Sequence, residues 1–327
     1  MSASPTPAGR RGRRFVTARR STERSPGDAI LRGLCILAGL TAAFILAEIA
    51  YQVITGAQPA IAKFGLGFLG HATWAPNTGH FGAAELLFGT AVTSAIAMVI
   101  SIPVAVAIAL YLALFAPRAV RAVVGPLVEM LAAIPSVILG FWGILLLAPF
   151  IHAHVEPFLH NRLGFIPIFG APETTGLSIF TAGVILTVMV VPIIACLSRD
   201  LFLTVPRELK DGAEALGGTP WEVIRGVVLP GTVSGVVAAA SLGLGRALGE
   251  SIAVASVIGG GNIIRGSAFE TGNSMAARVA LDIQYYVSKL QLNSIFYVAL
   301  ILLVLGVLTN LLARMIASRY DVSRAVV

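Results

Sequence analysis

Residues 86–117 read LLFGTAVTSAIAMVISIPVAVAIALYLALFAP, a run of 32 residues without Asp, Glu, Lys or Arg. A helix rises about 1.5 Å per residue and the hydrocarbon core of a bilayer is roughly 30 Å thick, so about 20 such residues cross it. The run does not alternate between apolar and polar residues as a β-barrel strand does. It therefore predicts a membrane-spanning helix.

Five further segments are long and apolar enough to cross a bilayer. Two of them carry charges, namely Arg32 and Glu48 in the first and Arg246 and Glu250 in the fifth along the chain. The whole chain is 57% hydrophobic and 12% charged, against about 25% charged residues in a soluble domain, which excludes a soluble enzyme. The sequence predicts an all-α integral membrane protein with six transmembrane helices. The five further spans are 31–54, 130–155, 174–198, 226–258 and 290–313.

The basic residues predict the orientation of these helices. Six crossings place 17 of the 23 Lys and Arg residues on the side of the N-terminus, eight of them in the first 32 residues, and five on the other side. Cytoplasmic loops are enriched in Lys and Arg, so both termini are predicted to be cytoplasmic. The first helix is predicted to be retained, because its removal as a signal peptide would leave five spans and basic loops on both sides.

Composition also divides the chain into segments. Residues 1–28 are rich in Ser, Pro, Gly and Arg, which predicts a disordered basic cytoplasmic tail that anionic membrane lipid attracts without sequence specificity. Because this tail precedes a membrane segment, nucleic-acid binding is not predicted. Residues 29–83 are predicted to hold the first transmembrane helix and an outer loop, 84–318 the transmembrane core, and 319–327 a cytoplasmic C-terminal tail.

Three outer segments, near 55–84, 151–173 and 259–289, are candidates for contact with a partner protein. His152 and His154 have the spacing of metal ligands, but no third ligand or acidic cluster supports a metal site. We predict no metal and solvated loop histidines. The five histidines are His71, His80, His152, His154 and His160.

The longest charged segment after the tail is residues 199–230, RDLFLTVPRELKDGAEALGGTPWEVIRGVVLP. Leu209, Ala213 and Leu216 form an apolar stripe at helical spacing, and the two glycines that follow end the helix. Thr219 is placed to cap a second short helix that begins at the next residue, a proline. The pattern predicts a short amphipathic helix that lies across the cytoplasmic face. Amphipathicity alone does not distinguish a docking helix from a solvated connector between two spans.

A proline near the end of this loop predicts how it joins the fifth span. Pro230 has no backbone N–H and disfavours helical geometry at Leu229, so a bend is expected there. A short helix held by such a bend moves with its span. A partner acting on the loop would thereby rock the membrane helices.

The loop resembles the EAA loop of permease subunits in ATP-binding-cassette importers, whose pattern is E-A-A, three residues, G, nine residues, I-x-L-P. Asp211 stands where the family usually has Glu, and Gly212 where it has Ala. The resemblance implies a coupling helix that docks on a separate dimer of ATPase subunits. The chain has no P-loop, because none of its three lysines follows a glycine, so ATP and Mg are expected on that partner and no cofactor on this chain. The matching positions are Asp211, Gly212, Ala213, Gly217, Val227, Leu229 and Pro230.

The charges in the fifth span need a partner or a path. Arg246 lies about 22 Å along the helix axis from Gly231, where an ionised side chain costs roughly 2.5 kcal/mol or more. The four-residue spacing puts Arg246 and Glu250 on one helix face, where they can pair. A structural ion pair and an anion path both remain open; in the anion path Glu250 holds in place a guanidinium that is suited to phosphate or sulfate oxygens. The span also holds two small-x-x-x-small pairs typical of helix packing, Gly231 with Gly235 and Gly245 with Gly249.

Three strings resemble the PstC-type permease family of phosphate importers: GLGRALGESIAV in the fifth span, WAPNTGHFGAAELLFGT before the second and LVEMLAAIPSVILGFWG in the third. The resemblance implies the type I ABC importer permease (MetI-like) fold in a bacterial inner membrane, with Arg246 and Glu250 on the phosphate path. The implied partners are a second, PstA-type permease, two ATPase subunits and an extracytoplasmic phosphate-binding protein that docks on the outer loops. The role of Glu129 stays open, and Pro135 is expected to kink the third span.

Two alternatives stay open at this point. The same type of permease would also serve another oxyanion such as sulfate, molybdate or tungstate, because Arg246 recognises charge and shape. An ion-coupled secondary transporter or a channel is the more distant alternative, and the spacing of the coupling loop argues against it.

Overall fold

The computed structural model describes residues 26–172, 174–261 and 266–319, so most of the predicted tails 1–28 and 319–327 lies outside the described residues. By its contacts the chain divides after Ile49, and the unit from Ala50 onward holds the features described below. The described part contains one two-stranded antiparallel hairpin, in which Trp74 pairs with Phe81. The strands are β1 (Trp74–Ala75) and β2 (His80–Phe81), and the helices are α1 (Pro26–Phe64), α2 (Gly67–Gly70), α3 (Ala84–Leu110), α4 (Arg118–Ala132), α5 (Ser136–Trp142), α6 (Ala148–Phe150), α7 (Glu156–Leu163), α8 (Ile179–Thr204), α9 (Arg207–Ala215), α10 (Pro220–Val223), α11 (Leu229–Gly249), α12 (Ile252–Val257), α13 (Met275–Asp282) and α14 (Lys289–Arg319).

Six helical segments of the described chain are long and apolar enough to cross a membrane, which confirms the predicted number. In the third and fifth spans, runs of α-helix are joined by single π-helical turns at Gly143–Leu147, Ile151–Val155 and Ile224–Val228, and a π-helical turn at Tyr111–Phe115 ends the second span. Helical structure also replaces part of all three predicted outer loops, because α1 continues to Phe64, the third span continues to Leu163 and α13 lies within the third loop. The six spans are Ala29–Phe64, Ala84–Phe115, Ser136–Leu163, Ile179–Thr204, Pro220–Gly249 and Lys289–Arg319.

The sequence predicts that the third span begins at Met130, but in the structure it begins at Ser136. The residues before it form α4, a separate helix, and Pro135 has a non-helical backbone with φ −58° and ψ 135°. Proline is favoured at the start of a helix, where the N–H it lacks would have no partner. Pro135 therefore begins the span, and the expectation that it kinks the span is wrong.

The fourth span, α8, is the most buried of the six and forms the centre of the bundle. Its buried side carries Ile185 and Ile194, which belong to the main apolar core. α3 packs closely along α8 because Gly183 has no side chain, and a Cβ there would lie 2.7 Å from Ile96 Cγ2. The outer spans keep many large apolar side chains exposed, as helices that face lipid or another membrane subunit do.

The bundle has two ends, the hairpin end (residues 66–83, 151–172, 174–178, 250–261 and 266–289) and the loop end (residues 111–121 and 199–229). At the hairpin end, Trp74 donates its indole N–H to Asp282 Oδ2 at 2.8 Å, and the guanidinium of Arg278 lies 5.6 Å from the centre of the Trp74 ring. Met275 donates its backbone N–H to Thr90 Oγ1 at 2.9 Å. These contacts fix the chain that follows the fifth span against α3.

Candidate functional site

The fifth span is interrupted at the charged pair. α11 ends at Gly249, Glu250 has an extended backbone with φ −72° and ψ 119°, and α12 begins at Ile252. The carboxylate Oε1 of Glu250 accepts the backbone N–H of Ala253 at 3.3 Å. Glu250 thereby caps α12 and satisfies an amide that the break leaves without a helical partner. The sequence had predicted one uninterrupted helix to Ile258, and the structure corrects this.

Arg246 and Glu250 do not form the ion pair that an uninterrupted helix favours. None of the ion pairs within the described residues joins them at 4.0 Å or less. The four-residue register brings two side chains together only while both residues are helical, and Glu250 is not. The structure therefore lacks the contact on which the structural ion-pair interpretation depends.

Both side chains instead line one open groove of about 1130 Å³ between α8, α11 and α14. Arg246 is exposed in it and Glu250 is half-buried. An arginine keeps its charge and presents a planar fork of donors, so in such a groove it is suited to bind an oxyanion. The remaining charged and polar residues of the groove wall are Asp200, Thr204, Ser241, Asn310 and Arg314.

The glycines of α11 divide between helix packing and the groove. A Cβ on Gly243 would lie 2.8 Å from Val190 Cγ1, and Gly235 packs against α8 in the same way. Gly245 and Gly249 have no atom of this chain within 4 Å of such a Cβ and line the groove. The predicted packing pair Gly245 and Gly249 is therefore part of the groove wall, which these glycines keep wide.

Sequence reasoning missed two charged residues of the groove, Asp200 and Arg314. In the sequence, Arg314 is only one of the 17 basic residues that predict the cytoplasmic side. A signal for it was present, because Asn310 is a polar residue inside an apolar run and lies four residues before Arg314, on the same helix face.

The coupling loop, residues 199–230, contains the predicted short helix, α9, which ends where the sequence predicts. α9 ends in a Schellman motif, in which the N–H of Gly217 donates to Glu214 O at 2.9 Å and the N–H of Gly218 to Ala213 O at 3.1 Å. Gly217 has φ +88°, a conformation that side chains disfavour. The family glycine position thus has a local physical reason in this chain.

The second helix of the loop begins as predicted and then departs from the prediction. Thr219 Oγ1 accepts the N–H of Glu222 at 3.4 Å, and Glu222 Oε2 accepts the N–H of Thr219 at 2.8 Å, which is a complete capping box. The helix is not short, because it continues through a π-helical turn into α11. Leu229 is helical, with φ −61° and ψ −48°, so the expected bend before Pro230 is wrong. The wider π-helical turn accommodates the proline ring, which would clash with the preceding turn of an α-helix.

The apolar stripe of the loop is left uncovered by this chain. Leu209 is 57% exposed, Leu216 91% and the nearby Trp221 61%. Asp211 lines a smaller groove of about 650 Å³ beside the loop, together with Arg207. Exposed apolar side chains rimmed by charges mark a surface for a partner protein.

Glu129, whose role the sequence left open, joins two elements at the loop end. Its Oε1 accepts a hydrogen bond from Arg199 Nη2 at 2.9 Å, and the same nitrogen lies 2.9 Å from Asp200 Oδ1. The pair ties α4 to the end of α8. Glu129 and Asp200 are more than half exposed, so each ion pair contributes at most about 1 kcal/mol.

The paired histidines are part of the third span and not of a loop, which corrects the prediction. His152 Nδ1 lies 3.3 Å from Glu156 Oε2, and Ser178 Oγ donates to Glu156 Oε1 at 3.1 Å. His154 stacks on Phe150 with 5.0 Å between ring centroids. Among the described residues no three His, Cys, Asp or Glu side chains are grouped as a metal site requires.

Residues 105–322 match the family model described as binding-protein-dependent transport system inner membrane component. The chain belongs to this family. The permease is 37% identical over 298 residues to the phosphate transport system permease protein PstC of Mesorhizobium japonicum, covering 90% of this chain and 91% of that relative. It is 38% identical over 282 residues to the protein of the same name from Pasteurella multocida, covering 85% and 87%.

A solved structure shows the same fold. The permease matches a chain in the crystal structure of a bacterial alginate ABC transporter in complex with an alginate pentasaccharide-bound periplasmic protein, with a TM-score of 0.60 over 90% of this chain and 97% of that chain. The sequence identity is 16%, so the similarity concerns the fold alone. Together with the family match, it confirms the predicted type I ABC importer permease fold.

Proposed function

We propose that this permease is a transmembrane subunit of an ATP-driven importer of inorganic phosphate and that it forms the translocation path with a second, homologous permease of the PstA type. Relatives whose names specify phosphate transport are 37% and 38% identical to it over most of their length. The observation that carries the proposal is Arg246, exposed in an open groove beside the break in the fifth span.

Arg246 supplies the positive charge that phosphate needs inside the membrane. An arginine guanidinium presents five N–H donors in a planar fork and is positively charged in proteins. Within the described residues no carboxylate lies within 4.0 Å of it, so its donors are available to phosphate oxygens. Glu250 fixes the break by capping α12, and its negative charge keeps the path from holding an anion too tightly.

The coupling loop docks on a dimer of ATPase subunits, which bind ATP and Mg. The Schellman turn and the capping box join α9 to the helix that continues into α11. Because α11 carries Arg246 near its far end, a displacement of α9 by the closing ATPase moves the phosphate-binding groove. The residues assigned to coupling are Asp211, Gly212, Ala213, Gly217, Leu229 and Pro230.

The hairpin end faces the outside and receives the extracytoplasmic phosphate-binding protein, and both termini are cytoplasmic in a bacterial inner membrane. The positive charge of the loop end supports this orientation, since it carries Arg118, Arg121, Arg207, Lys210 and Arg225. Orientation and ATP dependence together distinguish this importer from a secondary transporter or channel.

Uptake of labelled phosphate tests the proposal in cells that lack the gene and carry the wild type, Arg246→Gln or Arg246→Lys. We expect ATP-dependent uptake that Arg246→Gln reduces by at least about tenfold, the effect of losing one charge-assisted contact, with partial retention in Arg246→Lys. Membrane abundance of each variant is measured by immunoblot as the control. Faster uptake of sulfate or molybdate, or phosphate uptake that survives ATP depletion, would contradict the proposal.

A further inference from the structure

The last transmembrane helix, α14, carries two polar side chains on the wall of the groove that holds Arg246. Asn310 and Arg314 are one helical turn apart, and both line this groove. Elsewhere between Leu303 and Ile316, α14 presents exposed apolar side chains. Polar groups of a membrane helix turn toward a partner or a water-filled path, because lipid does not solvate them. The polar face of α14 therefore belongs to the same path as Arg246.

Arg314 lies nearer the loop end than Arg246 does. α11 runs from the loop end toward the hairpin end, and Arg246 lies three residues before its last residue, Gly249. α14 starts at the hairpin end and runs the other way, and Arg314 lies five residues before its last residue, Arg319. Arg246 and Arg314 thus mark two successive positions along one groove.

The acidic residues near Arg314 are engaged elsewhere. Asp200, which lines the same groove, lies 2.9 Å from Arg199, and Arg199 also binds Glu129 at 2.9 Å. Within residues 26–172, 174–261 and 266–319, no carboxylate lies within 4.0 Å of the Arg314 guanidinium. The N–H donors of Arg314 are therefore available to an oxyanion.

We propose that Arg314 is a second anion-contacting residue of the path and receives the imported phosphate from Arg246 at the end nearest the coupling loop. This rests on the proposed function of the groove. Two moderate sites in series let an ion leave each of them more readily than one tight site does. Because Arg314 is exposed at the loop end, phosphate already inside the cell reaches it as well and slows import.

The test compares Arg314→Gln, Arg314→Lys and the matched control Arg319→Gln in the assembled importer. Arg319 is an exposed arginine at the end of the same helix and does not line the groove. ATP-dependent phosphate uptake is measured in proteoliposomes with the binding protein present, with and without millimolar phosphate inside, and Arg246→Gln is run in parallel.

We expect Arg314→Gln to lower the maximal uptake rate by about tenfold without changing the external phosphate concentration at half-maximal rate, which the binding protein sets. The slowing by internal phosphate is expected in the wild type, Arg314→Lys and Arg319→Gln, and to be lost in Arg314→Gln. A loss of rate in Arg314→Gln with unchanged sensitivity to internal phosphate would overturn the proposal, because a structural role alone would give it.

Equal losses in Arg314→Gln and Arg319→Gln would also overturn the proposal, since surface charge would then explain both. Wild-type uptake in Arg314→Gln together with loss in Arg246→Gln would refute Arg314 alone and leave the proposed function standing. Uptake that is insensitive to Arg246→Gln would contradict the proposed function, and the assignment of Arg314 would fail with it.

Discussion

Glu250 shows how a single residue combines a local structural role with a place in the groove wall. Its carboxylate accepts the N–H of Ala253 at 3.3 Å and holds the start of α12, while its side chain also lines the groove beside Arg246. Glutamine retains an acceptor oxygen without the charge, and alanine retains neither. The two substitutions therefore separate the cap from the charge.

We expect Glu250→Ala to destabilise the permease by about 1 kcal/mol, the usual cost of a lost cap, and Glu250→Gln to destabilise it less. The measurement is the thermal unfolding midpoint of the purified importer in detergent, with phosphate uptake recorded for the same variants. Uptake that is lost in Glu250→Gln at unchanged stability would assign the charge a role in transport. Equal destabilisation by both substitutions would show that the cap is not what Glu250 contributes.

At the scale of elements, the coupling loop is held to the fifth span by its helix termini. The Schellman motif ends α9 and the capping box of Thr219 and Glu222 starts the next helix, so four residues connect them. Thr219 and Glu222 are exposed, so the hydrogen bonds of the capping box do not depend on burial. Local hydrogen bonds therefore set both termini, while the buried Val223 and Ile224 pack the second helix against the protein.

Removing the cap is expected to loosen this connection. In Thr219→Ala the helix start loses about 1 kcal/mol, so the amides of residues 221–223 should exchange with deuterium about fivefold faster. Thr219→Ser keeps the hydroxyl and serves as the matched control. Exchange rates that are the same in Thr219→Ala and in the wild type would show that tertiary contacts hold this terminus.

At the scale of the whole molecule, the proposed orientation places the hairpin end outside and the loop end in the cytoplasm. Tyr285 at the hairpin end is 78% exposed, and Leu216 at the loop end is 91% exposed, so cysteines at these positions would report the two sides. The background carries Cys35→Ser and Cys196→Ser, because both native cysteines are free thiols.

A membrane-impermeant maleimide is expected to label Tyr285→Cys in intact spheroplasts and Leu216→Cys only after permeabilisation. In permeabilised spheroplasts, labelling of Leu216→Cys should be weaker when the ATPase subunits are co-expressed, because they then cover the exposed apolar stripe. Labelling of Leu216→Cys in intact spheroplasts would refute the orientation. Labelling unchanged by the ATPase subunits would refute docking at this loop.

The sequence by itself determined the membrane class, the number of spans, and the end of α9 and start of the helix that follows it. Each depends on local physics: a charge-free run such as 86–117 is long enough to cross a bilayer, and Gly217 and Thr219 stop and start helices through bonds to their own neighbours. The family resemblance of the loop and of the fifth span also needs only residue spacing, and the family match confirms it.

Only the tertiary structure decided where the groove lies and which residues share it. The break places Glu250 outside the helix that carries Arg246. Helix periodicity does not reveal such a break, because the sequence stays mostly apolar on both sides of it. Arg314 enters the groove because α14 packs beside α11, a contact between segments that lie far apart in the sequence. The start of the third span at Pro135 and the helical Leu229 likewise follow from how the surrounding turns accommodate a proline, which residue preferences alone do not determine.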